Sequence, residues 1–324
     1  MAGSICIERG RARRSLRRRA VLTVGSAAAS PPARGGAGQA TLIGAIAIVL
    51  WSTLALLATG AGGVPPFQLV AMSFAIAAAL AVAKWLIRGD AVIVQLRQPP
   101  AAWLVGVGGL FLYHFLYFLA LRHAPAVEVS LICYLWPLLI VVFAGLLPGE
   151  RLRWWHLAGA LVGLLGTALL ITGGGQVAFR SDYALGYGAA LGCAVTWAGY
   201  SALSRRFARV PTDAVGGFCA ATAALALLCH FMWETTVWPR DTEWLAVIGL
   251  GMGPVGIAFF VWDYGVKHGN LKTLGGLSYA TPLLSTMLLV AFGHAAASAS
   301  IAAAALLIVG GAVLAARDLW SKQA

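Results

Sequence analysis

From residue 40 onward the chain alternates apolar stretches of about 20 residues with loops of no more than about 14. A stretch that long and that apolar fits a lipid bilayer and little else. The reading places spans at 40–60, 65–86, 101–121, 126–147, 154–172, 184–203, 212–233, 244–265, 272–292 and 298–316. The expected fold class is therefore an all-α integral membrane protein with ten transmembrane helices. Composition agrees: 60% of residues are hydrophobic and 10% charged, against about 25% charged in a soluble domain. The loops leave no room for a soluble catalytic domain.

Lys and Arg orient the spans. Eight lie in the N-terminal tail, ten in the even-numbered gaps and two at the C-terminus, leaving only Arg122, Arg180 and Arg240 for the other side. Both termini are expected to be cytoplasmic, in a multi-pass protein of a bacterial-type inner membrane. The net charge of +12 is thus a matter of topology and implies no nucleic acid. Seven arginines crowd between Arg9 and Arg19; residues 1–38 read as a basic, disordered cytoplasmic tail. Such an arm attracts anionic lipid at roughly 1 kcal/mol per charge. Five cysteines, at 6, 133, 193, 219 and 229, have neither a disulfide framework nor metal-ligand spacing. No catalytic residue, metal site or cofactor is expected, and membrane lipid is the expected surrounding.

The chain also repeats itself. A shift of 145 lays "YLWPLL" (134–139) on "YATPLL" (279–284), Gly106 on Gly251, Gly108 on Gly253, His123 on His268, Pro66 on Pro211 and Gly166 on Gly311. One residue more pairs Trp51 with Trp197. The unit holds five spans. Five is odd, so the second copy enters the membrane from the opposite side, an inverted repeat with its substrate site near the midplane. The units are expected at 39–174 and 182–318, with 319–324 as a cytoplasmic C-terminus.

The five-plus-five plan, with its Tyr-x-x-Pro and Tyr-Leu-Trp-Pro elements in spans 4 and 9, resembles the drug/metabolite transporter superfamily, EamA-type branch. The segment "APAVEVSLICYLWPLLIVVFAGLLPGERL" (124–152) is similar to the YddG-type exporters of aromatic amino acids. The resemblance implies an inner-membrane exporter of amino acids and related small molecules, with a central cavity walled by helices of both halves. The alternative is an exporter of other metabolites or cationic drugs from the same superfamily. The sequence sets no oligomeric state and is compatible with a monomer.

Polar and aromatic residues inside spans are the candidate substrate contacts, because exposing them to lipid is costly. Span 3 carries Tyr113, His114 and Tyr117, with His114 the ionisable residue nearest mid-membrane. Span 4 adds Tyr134 and Trp136; span 6 adds Trp197 and Tyr200, beside Ser201 and Ser204; span 8 adds Trp262; span 9 adds Ser278 and Tyr279, beside Thr281 and Ser285. Pro137 and Pro282 are expected hinges. Each lacks an N–H, which would free the carbonyl of Cys133 or Ser278 for a substrate ammonium. Four features read as structural: Glu128 at a helix N-terminus, Asp263 paired with Lys267 four residues on, Lys84 and Arg88 reaching for the interface, and the close-packing pattern Gly159–Gly163.

Overall fold

The structure, a computed structural model, describes residues 34–320 of the 324-residue chain, with side chains over 36–318. The arginine-rich segment, Cys6 and Lys322 lie outside the described residues. Among the described residues every regular element is helical.

Eight helical stretches are long and apolar enough to cross a membrane: α1 (Gly36–Gly60), α2 (Pro66–Arg88), α3 (Pro100–His123), α4 (Ala126–Gly145), α5 (Trp154–Thr172), α7 (Thr212–Trp233), α8 (Glu243–His268) and α9 (Leu271–Ala291). At the two remaining expected spans the chain forms α6 (Ala184–Ser204) and α10 (Ala299–Ala315). Neither combines the length and hydropathy of the other eight. The reason in α6 is location: eleven of its 21 residues are buried, and it packs on α3, α4 and α8. A helix enclosed by protein has little contact with lipid, so Gly, Ala, Ser and Tyr replace Leu and Val. α10 has 17 residues and lies along α5.

Local chemistry sets the ends. Pro66 and Pro100 occupy the first turns of α2 and α3, where an N–H is not needed. Asn270 and Ser298 accept from the N–H groups of Thr273 and Ile301 at the starts of α9 and α10. Gly89 and Gly173 close α2 and α5 at φ of 75° and 61°. With no water in a bilayer core, such partners are the backbone's only recourse at depth.

Five helices are interrupted, α1 among them at Thr53, between Ser52 and Leu54. α3 contains a π segment over Gly108–Leu112, and α8 one over Gly253–Ile257. α4 breaks between Cys133 and Trp136, and α9 between Leu277 and Ala280. Both expected hinge prolines, Pro137 and Pro282, lie just after these breaks. Pro137 sits in the first turn of a new helical segment. The N–H left over by the break, that of Leu138, donates to the Tyr279 hydroxyl at 3.1 Å. The Ser278 carbonyl is not free, since it accepts the Thr281 N–H at 3.1 Å.

The Gly159–Gly163 pattern does pack closely. A Cβ on Gly159 would meet the Ala315 backbone nitrogen at 2.5 Å, and one on Gly163 the Tyr279 ring at 2.6 Å. Small residues let backbones approach where lipid supplies no hydrophobic drive. Gly163→Leu should cost about 3 kcal/mol or more by overpacking. A native-like thermal midpoint for the purified variant in detergent would contradict this.

Candidate functional site

Four tryptophans from four helices meet in the core: Trp51 of α1, Trp136 of α4, Trp197 of α6 and Trp262 of α8. All six ring pairs have centroids 5.0–6.3 Å apart, from Trp51–Trp262 at 5.0 Å to Trp51–Trp136 at 6.3 Å. Edge-on and tilted arrangements predominate, as the ring quadrupoles favour. The helix break in α4 sets Trp136 at the head of its second segment. Rings this close leave no space for a substrate between them in this conformation.

Two of the indoles are tied down. Trp51 Nε1 donates to the carbonyl of Pro254, inside the π segment of α8, at 3.0 Å. Trp262 Nε1 donates to Ser201 Oγ at 3.1 Å. Among the described residues the indole N–H groups of Trp136 and Trp197 have no protein acceptor. Around the four rings lie Phe259, 5.8 Å from Trp197, and Phe74, stacked on Phe259 at 5.5 Å.

Several expected site residues join this cluster. Tyr113 lies 5.5 Å from Trp197, and Tyr200 5.2 Å from it. Tyr117 is parallel to Tyr113 at 6.3 Å. His114 stands edge-on to Phe74 at 5.2 Å, and its Nδ1 bonds the Leu110 carbonyl at 2.7 Å. A carbonyl only accepts, so Nδ1 carries the proton and Nε2 is left as an acceptor. Tyr134 is half-buried beside the break in α4, outside the ring cluster. Trp262, an expected substrate contact, is fully buried at the centre of the cluster.

Ser278 and Tyr279 are placed differently. Both are fully buried. The Ser278 hydroxyl donates to its own helix at the Leu274 carbonyl, 2.7 Å away, and the Tyr279 hydroxyl caps Leu138. Tyr279→Phe should therefore cost about 1–3 kcal/mol, the cost of an unpaired buried N–H. Its thermal midpoint should drop while flux per folded molecule stays within about threefold; a large flux loss at native stability would instead argue for substrate contact.

Ion pairs gather at one end of the bundle. Glu150, after α4, bonds Arg205 at 2.9 Å and Lys272 at 2.8 Å, joining the ends of α4, α6 and α9. Burial pushes the Glu150 carboxyl up, but Lys272 and Arg205 outweigh it and hold the group below its ordinary value. Asp213 pairs with Lys84 and, at 3.7 Å, with Arg88, so these cations bridge to α7 rather than merely reaching outward. Asp263 and Lys267 form the expected pair at 2.8 Å, with both side chains only 3% exposed. At the opposite end Glu234 accepts the Phe67 and Gln68 N–H groups, and Glu128 accepts the Tyr187 hydroxyl.

The sequence reading did not select Trp51, Phe74 or Phe259 for the site. Trp51 had a signal, its near-register with Trp197. The two phenylalanines had none, since apolar rings are ordinary residues in a span.

Comparison with known proteins adds a second line. The model of the EamA-like transporter family matches residues 39–172 and again residues 184–317. The aromatic amino acid exporter YddG of Ancylobacter novellus is 57% identical over 278 residues, 86% of this chain and 96% of that protein. The Escherichia coli protein of the same name is 29% identical over 288 residues, covering 85% and 96%. A crystal structure of a protein 56% identical in sequence superposes with a TM-score of 0.82, covering 86% of this chain and 98% of that one.

Proposed function

The chain belongs to the EamA-like transporter family, a family of transporters rather than enzymes, and from that premise we propose that it exports amino acids, preferring aromatic and hydrophobic ones. Transport proceeds by alternating access around the indole cluster. The architecture proposed for it is ten crossings in two inverted halves, 39–174 and 182–318, in a bacterial-type inner membrane. The basic residues put residues 1–38 and 319–324, with the Glu150 end of the bundle, on the cytoplasmic side.

Three observations support the inverted halves. The family model matches twice. The π segments starting at Gly108 and Gly253 lie 145 residues apart, as do the helix starts at Tyr113 and Ala258. The breaks in α4 and α9 follow nearly the same offset.

The observation that carries the substrate class is the meeting of Trp51 and Trp136 with Trp197 and Trp262, two from each half. An apolar or aromatic side chain finds its best complement in such rings. The unpaired indole N–H groups of Trp136 and Trp197 supply donors for a carboxylate. Tyr113, His114, Tyr117, Tyr134, Tyr200, Ser278 and Tyr279 remain the proposed polar and aromatic surroundings, with Pro137 and Pro282 at the bending points. The last four residues of that reading, Ser278, Tyr279, Pro137 and Pro282, act by shaping the broken helices. The resemblance of the chain to named aromatic amino acid exporters points the same way.

The test is radiolabelled phenylalanine uptake by purified protein in proteoliposomes, competed with other amino acids and with cationic drugs. Saturable uptake blocked by aromatic and hydrophobic amino acids is the expected result. Uptake of a cationic drug without amino acid flux would overturn the reading.

A further inference from the structure

Between the indole cluster and the Glu150 end lies a pocket of about 10 Å³, room for about one water. Its wall includes Tyr200, Ser204, Phe218, Asp263 and Lys267. Two charges are out of solvent here. Asp263 accepts from Lys267 Nζ at 2.8 Å and from Thr212 Oγ1 at 2.8 Å; Lys267 also donates to the Val210 carbonyl at 3.0 Å. Tyr200 also lines this pocket, and its hydroxyl is buried and without a protein partner, in a residue only 3% exposed. Such an orphan is costly unless something binds it at another stage of the cycle.

A buried pair is weak evidence for stability, since apolar residues of equal volume serve as well or better. The pair sits at the end of α8, with Lys267 one residue from the last of the helix, where a substrate moving between that end and the indole cluster would meet it. The surroundings say which substrate. Asp263 directly follows Trp262, and the Tyr200 ring lies 5.2 Å from Trp197. Charge recognition and aromatic recognition are therefore adjacent.

We propose that Asp263 and Lys267 form the head-group subsite for a zwitterionic α-amino acid. This deepens the amino acid exporter reading and rests on it. The substrate's ammonium takes the place of Lys267 at Asp263, and its carboxylate takes the place of Asp263 at Lys267. One ion pair opens and two form, so no net charge is left unpaired in a low-dielectric site. The Tyr200 hydroxyl then donates to the carboxylate. In the empty protein the two side chains neutralise each other, which keeps the subsite shut and water-sized.

The test uses phenylalanine uptake in proteoliposomes, competed by unlabelled phenylalanine, phenethylamine and 3-phenylpropionate. Each one-armed analogue would strand either Lys267 or Asp263. The native protein should take both at least about thirtyfold more weakly than phenylalanine. The neutral double variant Asp263→Asn with Lys267→Met, checked as monodisperse, should narrow that ratio to within about threefold. If either analogue competes within threefold at the native protein, the subsite is wrong, whatever the variant does. It is equally wrong if the folded double variant discriminates as the native protein does. Absence of saturable phenylalanine uptake by the native protein would sink the exporter reading and the subsite together. Phenylalanine flux with unaltered discrimination in the variant would sink the subsite alone.

Discussion

Trp51→Ala is expected to reduce phenylalanine flux per folded molecule at least tenfold. Trp51 is the hub of the cluster, with centroids 5.0 Å from Trp262, 5.5 Å from Trp197, 6.2 Å from Phe259 and 6.3 Å from Trp136. Truncation to a methyl empties the centre and removes an aromatic wall common to both halves of the chain. It also strips the Pro254 carbonyl, in the π segment of α8, of its indole donor. Truncating a buried aromatic costs about 3–5 kcal/mol; Trp51 is only half-buried, so the lower end applies. Trp51→Phe keeps a ring and loses the N–H, and should cost about 1–2 kcal/mol with an intermediate flux. The measurement is initial uptake in proteoliposomes normalised to folded protein, beside thermal midpoints in detergent. Native flux in the alanine variant would show that the cluster is packing alone.

Glu150→Lys should be the most damaging single change at the bundle's charged end. Glu150 is the anion between Arg205 and Lys272, and the Lys272 side chain is only 8% exposed. Reversal would set three cations together where one carboxylate held two. The variant is expected to accumulate poorly, or to lose closure of that end. Glu150→Gln is the milder test. It should cost about 1–2 kcal/mol, between the values for exposed and buried pairs, because Glu150 is partly exposed.

Acid separates this contribution from others. The folded-state carboxyl of Glu150 lies below its ordinary value of 4.5, so unfolding raises its proton affinity. Its stabilisation is fully present above the unfolded value and is lost as pH falls through the lower folded one. The thermal midpoints of native protein and Glu150→Gln should therefore differ by a constant at neutral pH and converge below about pH 4.5. A constant difference down through that acid range would show that the carboxylate charge is not what Glu150 contributes.

Periodicity, charge and repetition placed most of the helices, because each of those properties is local in sequence or additive along it. The boundaries of α5 differ from the expected span by nothing, and Pro137 and Pro282 both lie within a few residues of real helix breaks. What local signals could not carry was which partner a freed group finds. Leu138 and Tyr279 are 141 residues apart, and nothing near either one announces the other. The π segments carry no proline rule of their own: Pro254 lies in one, while the other begins Gly-Gly. The i, i+4 spacing of Asp263 and Lys267 was enough to foresee their pairing. Their burial depends on Val210, in the turn between α6 and α7, and on Thr212, at the start of α7. For the same reason the tryptophans were visible one by one, and their convergence was not.

That convergence makes the protein its own optical probe. Indole transitions held within 6.3 Å of one another couple electronically, and the coupling falls steeply as rings separate or turn. The near-ultraviolet circular dichroism of the native protein, less that of Trp51→Phe, isolates the cluster from the chain's eight other tryptophans. A conformational cycle that parts the two halves must pull Trp51 and Trp136 away from Trp197 and Trp262. Each turnover would then be written in the protein's own absorption, with no dye attached.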